Sequence, residues 1–196
     1  MQANPYQILS ILLIVLALGA ALSIVYYSWK NGISPMPTSR RVRRAVADEV
    51  NRFSGPGLLV EAGSGWGTLG IHIARYCKGW RLVGLENSAI PLQASKILVW
   101  LTYGVSMRGA DRTSDSRTTV EFRKGDIYKY SYEDASIVVC YLYPGAMKRF
   151  GPILEDRMRT GARVISVCFA LPGWEPERVV TCKDLYRTKV YVYAVA

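Results

Sequence analysis

Three glycines at alternate positions, Gly63, Gly65 and Gly67, follow an apolar run that ends in Glu61 within the stretch LLVEAGSGWG. Alternate glycines allow a tight turn with positive φ and let a ligand approach the main chain. A helical pattern starts directly after Gly67, so unpaired backbone N–H groups face the same place. The spacing excludes two phosphate binders. No lysine stands between Gly63 and Lys78, which rules out GxxxxGK[ST], and Thr68 sits where GxGxxG needs its third glycine. An acid-x-G-x-G-x-G loop instead suits S-adenosylmethionine (AdoMet). A pyrophosphate repels a nearby carboxylate, whereas AdoMet carries an ammonium and a sulfonium. Glu61, Ala62, Gly63, Ser64, Gly65 and Gly67 are the expected cofactor loop.

Two further acids stand where such a ligand would continue. Glu86, in GLENS, closes a second apolar run, and one carboxylate there can accept hydrogen bonds from both ribose hydroxyls. Asp126, in FRKGDIY, follows a third run and can accept from the adenine amino group, with Ile127 packing on the ring. After a fourth run comes Tyr141-Leu142-Tyr143-Pro144, over the methyl group in this architecture. Methyltransferases acting on adenine or glutamine amines often carry [DN]PP[YF] there, so this chain argues against an adenine-N6 enzyme. Tyr141 and Tyr143 can line an aromatic channel for an amine, since tyrosine faces attract methylated ammonium groups. No metal site is expected: Cys77, Cys140, Cys168 and Cys182 form no CxxC pair and His72 is the single histidine. Widely spaced thiols in apolar runs read as buried and reduced. His72 reads as a surface or packing residue, and Tyr191 and Tyr193 as sheet packing.

The elements that must position these residues alternate. Strands are expected at Leu58–Ala62, Trp80–Leu85, Thr119–Phe122, Ser136–Tyr141, Ala162–Phe169 and Lys189–Ala194. Helices are expected at Arg40–Arg52 with Ser39 as cap, Gly67–Tyr76, Ser88–Met107 and Ala146–Arg159. In the long third helix, Ile90, Ala94, Ile97, Leu98 and Leu101 form the apolar face expected to meet the sheet. Arg108 to Thr118 reads as a loop. The alternation predicts an α/β class fold, a mostly parallel twisted sheet of Rossmann-like type wound on both faces. In such sheets ligands bind beyond the carboxyl ends of the strands, where strand order switches.

Ahead of this domain no charged residue occurs from Gln2 to Trp29, and Ile8–Tyr27 is almost wholly apolar. Twenty helical residues span about 30 Å, the thickness of a bilayer core. A signal peptide would begin with basic residues, but here Lys30, Arg40, Arg41, Arg43 and Arg44 all come afterwards. The expectation is an uncleaved transmembrane anchor over residues 1–30, a linker over 31–39 and a catalytic domain over 40–196. The positive-inside rule places that domain on the cytoplasmic or mitochondrial matrix side. The net charge of +10 is scattered apart from this cluster, which favours lipid headgroups over nucleic acid as its partner.

With EAGSGWG, GLENS, VEFRKGDIY, YLYPGAMKRF and GARVISVCFALPGWEPE set after one membrane helix and SPMPTS, the chain resembles the membrane-anchored seven-β-strand lysine methyltransferases. That family's mitochondrial members modify the adenine nucleotide translocase and the ATP synthase c-subunit, and it has prokaryotic relatives. The resemblance covers about Gly32 to Val180. It implies an AdoMet-dependent transfer of methyl groups to a lysine of a protein, expected to be a membrane protein. It implies that Pro37 and Thr38 close over the cofactor and that Asn87 joins Glu61, Gly63, Gly65, Glu86 and Asp126 in holding it. Tyr141, Tyr143 and Pro144 are implied to line the lysine channel. The family usually has Asp at the position of Glu61, and often an acid and Arg at those of Trp66 and Thr68. A lipid or quinone methyltransferase is the alternative, weakened because no second apolar amphipathic segment stands out in the domain.

Overall fold

The computed structural model describes residues 4–31, 38–53, 55–104 and 118–196. Its elements run α1 (Pro5–Asn31), α2 (Arg40–Val50), β1 (Gly57–Ala62), α3 (Thr68–Tyr76), β2 (Trp80–Glu86), α4 (Ala89–Val99) and a π-helical turn (Trp100–Gly104). There follow β3 (Thr119–Lys124), β4 (Ala135–Cys140), α5 (Pro144–Arg157), β5 (Arg163–Val167), β6 (Arg178–Thr181) and β7 (Lys189–Ala194). The strands form one sheet in the order β3-β2-β1-β4-β5-β7-β6. The first five pair in parallel, and β7 pairs antiparallel with β5 and β6. This is the expected doubly wound sheet. Strand order reverses at β1, which lies between β2 and β4 and leads into the glycine loop.

Two-residue periodicity sorts the core. Leu58, Val60 and Ala62 share one cluster with Ala146, Met147, Phe150 and Leu154 of α5. Leu59, one register step away, joins the opposite cluster with Val42, Val46 and Val50 of α2 and Leu69 and Ile73 of α3. Those α2 and α3 residues fall at helical spacing, so each helix buries a single stripe. Ser39 caps α2 as expected, its Oγ accepting from the Val42 N–H at 3.3 Å. Tyr193 is buried and its hydroxyl accepts from the Leu171 N–H at 2.9 Å, in keeping with a packing role. The four cysteines are free; Cys140 is buried in β4, while Cys168 lies just past β5 and is half-buried.

Three expectations need correction. The sheet gains β6, a four-residue strand whose side chains are mostly exposed and so carry no burial pattern. The helix α5 begins at Pro144 rather than Ala146, because proline is suited to a first helical turn whose N–H is unpaired anyway. In α4 the buried residues are Pro91, Leu92 and Ser95. Ile97, Leu98 and Leu101, expected to meet the sheet, are instead exposed together with Trp100. The regular helix ends at Val99, and residues 105–117 of the expected helix and loop lie outside the described residues.

The helix α1 is long and apolar enough to cross a membrane by length and composition. It packs against α4. Its partly shielded residues, Ala20, Ser23, Ile24, Tyr27 and Ser28, all fall on one helical face of its C-terminal half.

Close packing at the centre of β2 gives a test. A Cβ at Gly84 would collide with the Phe122 ring and lie 3.1 Å from Ser64 Cβ. Gly84→Ala is expected to cost about 1–3 kcal/mol. Adding Phe122→Leu should restore part of it. A double-mutant cycle from denaturant melts checks this, and purely additive losses would refute the collision.

Candidate active site

The glycine loop adopts the backbone that the spacing predicts. Gly63, Gly65 and Gly67 have φ of 74°, 52° and 73°, in the left-handed region that disfavours side chains. A carboxylate fixes the loop in place. Glu86, at the end of β2 and 7% exposed, accepts from the Gly65 N–H at 2.8 Å and, through its other oxygen, from the Ser88 N–H at 2.7 Å. The loop after β1 and the turn into α4 are thereby clamped to one group. Each Glu86 oxygen retains a further lone pair for a ligand.

Glu61, next to last in β1, points at the start of α3, with its Oε2 against Gly70. Gly70 must lack a side chain, since a Cβ there would strike Glu61 Oε2. That oxygen is buried and has no hydrogen-bond partner among the described residues, and the same holds for Ser64 Oγ. Burial pushes the Glu61 carboxyl up to about 8, with the Gly70 N–H opposing and the nearby Glu86 charge adding to the rise. A cation placed at Glu61 would relieve this. The donor set therefore fits the ammonium end of AdoMet.

A single cleft at the switch point is lined by Thr38, Glu61, Gly63, Ser64, Gly65, Glu86, Asn87, Asp126, Ile127, Tyr141 and Tyr143. Asp126 is exposed at its rim, with Oδ1 accepting from the Tyr128 N–H at 2.9 Å. Three of the expected residues do not line it. Ala62 is buried in the α5-side core, Gly67 packs under Ser95 and Phe122, and Pro144 starts α5. Pro37 lies outside the described residues. Among the lining residues that the sequence did not single out, Tyr128 and Arg149 carry the most chemistry. The Arg149 guanidinium stacks over the Tyr128 ring at 3.9 Å from its centroid. The signal was available in part: Tyr128 follows two residues after Asp126, and Arg149 lies one helical turn into α5. Burial raises the Tyr128 and Tyr141 hydroxyls above their ordinary range, so both phenols stay neutral. No metal-ligand cluster occurs among the described residues.

This sheet order, with its acid-ended glycine loop at the switch point, is that of the Rossmann-like AdoMet-dependent methyltransferases. An RNA methyltransferase from Salinibacter ruber, solved in complex with S-adenosyl-L-homocysteine, aligns with a TM-score of 0.66 at 28% identity, covering 82% of this chain and 94% of that one. Residues 61–178 match the ANTKMT methyltransferase domain, and the chain belongs to that family. It is 31% identical to the rat ATP synthase c-subunit lysine N-methyltransferase over 84% of this chain and 73% of the relative. It is 32% identical to the mouse adenine nucleotide translocase lysine N-methyltransferase over 64% of this chain, a match spanning 49% of that protein.

Glu61 makes stability depend on pH with a definite sign. Its carboxyl stays protonated in the folded protein to about 8, whereas the unfolded chain releases that proton above about 4.5. Stability contributed by the retained proton is present below about 4.5, is lost as pH rises towards 8 and levels off beyond. Glu61→Gln removes this titration. Its melting temperature should gain on the wild type between about pH 5 and pH 8, and parallel curves would refute the assignment.

Proposed function

We propose that the protein is an AdoMet-dependent protein-lysine N-methyltransferase tethered to a membrane by residues 1–30, with 31–39 as linker and 40–196 as the catalytic domain. The observation that carries this reading is one cleft that joins three strand-end acids, Glu61, Glu86 and Asp126, to three tyrosines, Tyr128, Tyr141 and Tyr143. The names of the rat and mouse relatives support lysine as the acceptor. Thr38, Glu61, the loop through Gly65, Glu86, Asn87, Asp126 and Ile127 would hold the cofactor, and Gly67 would shape its loop from behind.

AdoMet supplies a methyl group on a sulfonium, open to in-line displacement by an amine. The chain must present that amine neutral and aligned. A lysine of pKa near 10.4 costs roughly 4–5 kcal/mol to hold neutral at pH 7. Tyr128, Tyr141 and Tyr143 exclude water and disfavour the ammonium form, while alignment lowers the barrier further. Arg149 adds a like charge near the acceptor, which also favours the neutral amine. Tyrosine faces then attract the methylated ammonium product.

The basic residues after α1 support a cytoplasmic or matrix-facing domain. A membrane protein is the favoured substrate, because a shared bilayer raises its effective concentration. The purified full chain, incubated with radiolabelled AdoMet and membranes from cells lacking it, is expected to label a discrete protein at lysine, mapped by mass spectrometry. Asp126→Ala should weaken AdoMet binding about tenfold or more with little change in melting temperature, because Asp126 is exposed and bonds only to a neighbouring N–H. Label confined to extractable lipid, or to RNA, would overturn the lysine reading. Arg149→Ala should move the acid limb of the pH–rate profile to higher pH, because the acceptor amine loses a like-charged neighbour; an unmoved limb would remove Arg149 from that role.

A further inference from the structure

Beyond the catalytic cleft, a second cleft opens between α2, α3 and the end of α4. It is lined by Arg40, Arg43 and Arg44 of α2, Arg75 of α3, and Leu98 and Thr102 next to the π-helical turn. Among the described residues, Asp48 is the only acid on its lining. None of the four guanidiniums forms an ion pair among the described residues, and Arg43 Nε is buried without a hydrogen-bond partner there. Four cations gathered around one hollow repel one another unless an anion joins them.

Beside this hollow lies the apolar face that the sheet does not take up. Ile97, Trp100 and Leu101 are 56%, 63% and 50% exposed, far more than large apolar side chains on a packed helix. They recur at i, i+3 and i+4, so they share one side of the helix. The same helix is the one against which α1 packs, through the C-terminal half of the apolar span. An apolar ridge with a tryptophan, flanked by arginines and continuous with a membrane helix, has the composition of an interfacial membrane surface.

We propose that the α4–π-turn ridge and the arginine cleft form a second membrane attachment, in which Ile97, Trp100 and Leu101 enter the leaflet beside α1 and the arginines hold anionic phospholipid headgroups. This rests on α1 being a membrane span. The occupant follows from charge complementarity and from continuity with α1. The domain is then held at two points instead of swinging from its linker, and the end of α4 lies at headgroup depth. The sequence shows this apolar face of α4, and the structure shows that it is left exposed.

The test uses the full chain in lipid nanodiscs carrying nitroxide lipids labelled at both shallow and deep acyl positions, with a fluorophore on Leu101→Cys or, as reporter of the span, on Leu16→Cys. Both positions should be quenched in discs containing phosphatidylglycerol. Arg44→Glu and Arg75→Glu should each lower the docked-to-undocked ratio reported at Leu101 by about fivefold, leaving Leu16 quenched and AdoMet affinity unchanged. Quenching at Leu16 without quenching at Leu101 would overturn the second attachment and leave the anchor standing. Absence of quenching at both sites would overturn the anchor and the attachment with it. If the reversals abolish binding of single-stranded RNA but leave Leu101 quenching intact, the cleft serves another polymer and the lipid assignment falls.

Discussion

The catalytic end of this molecule is organised by the bond between one carboxylate and two main-chain amides. Three alternate left-handed glycines form a loop with little stiffness of its own, because glycine loses more freedom on ordering than any other residue. Glu86 meets that cost with two charge-assisted hydrogen bonds, one to the loop and one to the turn entering α4. Because Glu86 belongs to β2, the geometry of the sheet is passed directly to the loop. The loop after β1 and the turn after β2 are thereby tied to one strand end.

Around that clamp the cleft is electrostatically lopsided. Glu61 is deeply buried and lacks a partner for one oxygen among the described residues, Glu86 is nearly as buried, and Asp126 is exposed at the rim. The acids thus grade from dry to wet across the site, a gradient that suits a ligand charged at one end and merely polar at the other. The tyrosines and Arg149 occupy the part of the lining contributed by β4, α5 and the segment after β3. On the function proposed above, binding a cation and rejecting a protonated amine would fall to different elements of one fold.

Local patterns foretold what local chemistry decides. The positive φ values at Gly63, Gly65 and Gly67 follow from residue type and spacing, and the acids at the ends of β1 and β2 follow from where apolar runs stop. The capping of α2 by Ser39 was equally legible. What the sequence could not supply was which side of α4 meets the sheet. Its stripe of Ile97, Leu98 and Leu101 has the period of a core face, but hydrophobic spacing does not distinguish burial under a sheet from burial against another apolar phase. The placement of Tyr128 and Arg149 depended on the docking of α5 across the sheet, a long-range packing result. Ala62 lies in the expected loop yet faces the α5-side core, because alternate residues along β1 face opposite ways, while Gly67 caps α3 and packs under Ser95 and Phe122. The strand β6 stayed invisible because an exposed edge strand pairs by backbone alone.

Only seven peptide steps separate Asn31, the last residue of α1, from Thr38 in the wall of the catalytic cleft. A chain that short reaches at most about 25 Å even when fully extended. With α1 in a bilayer, this connection acts as a ruler. Acceptor side chains on distant soluble domains lie beyond its measure, and those just above the headgroups lie within it. The enzyme would thus choose among lysines by altitude before it reads any neighbouring residue.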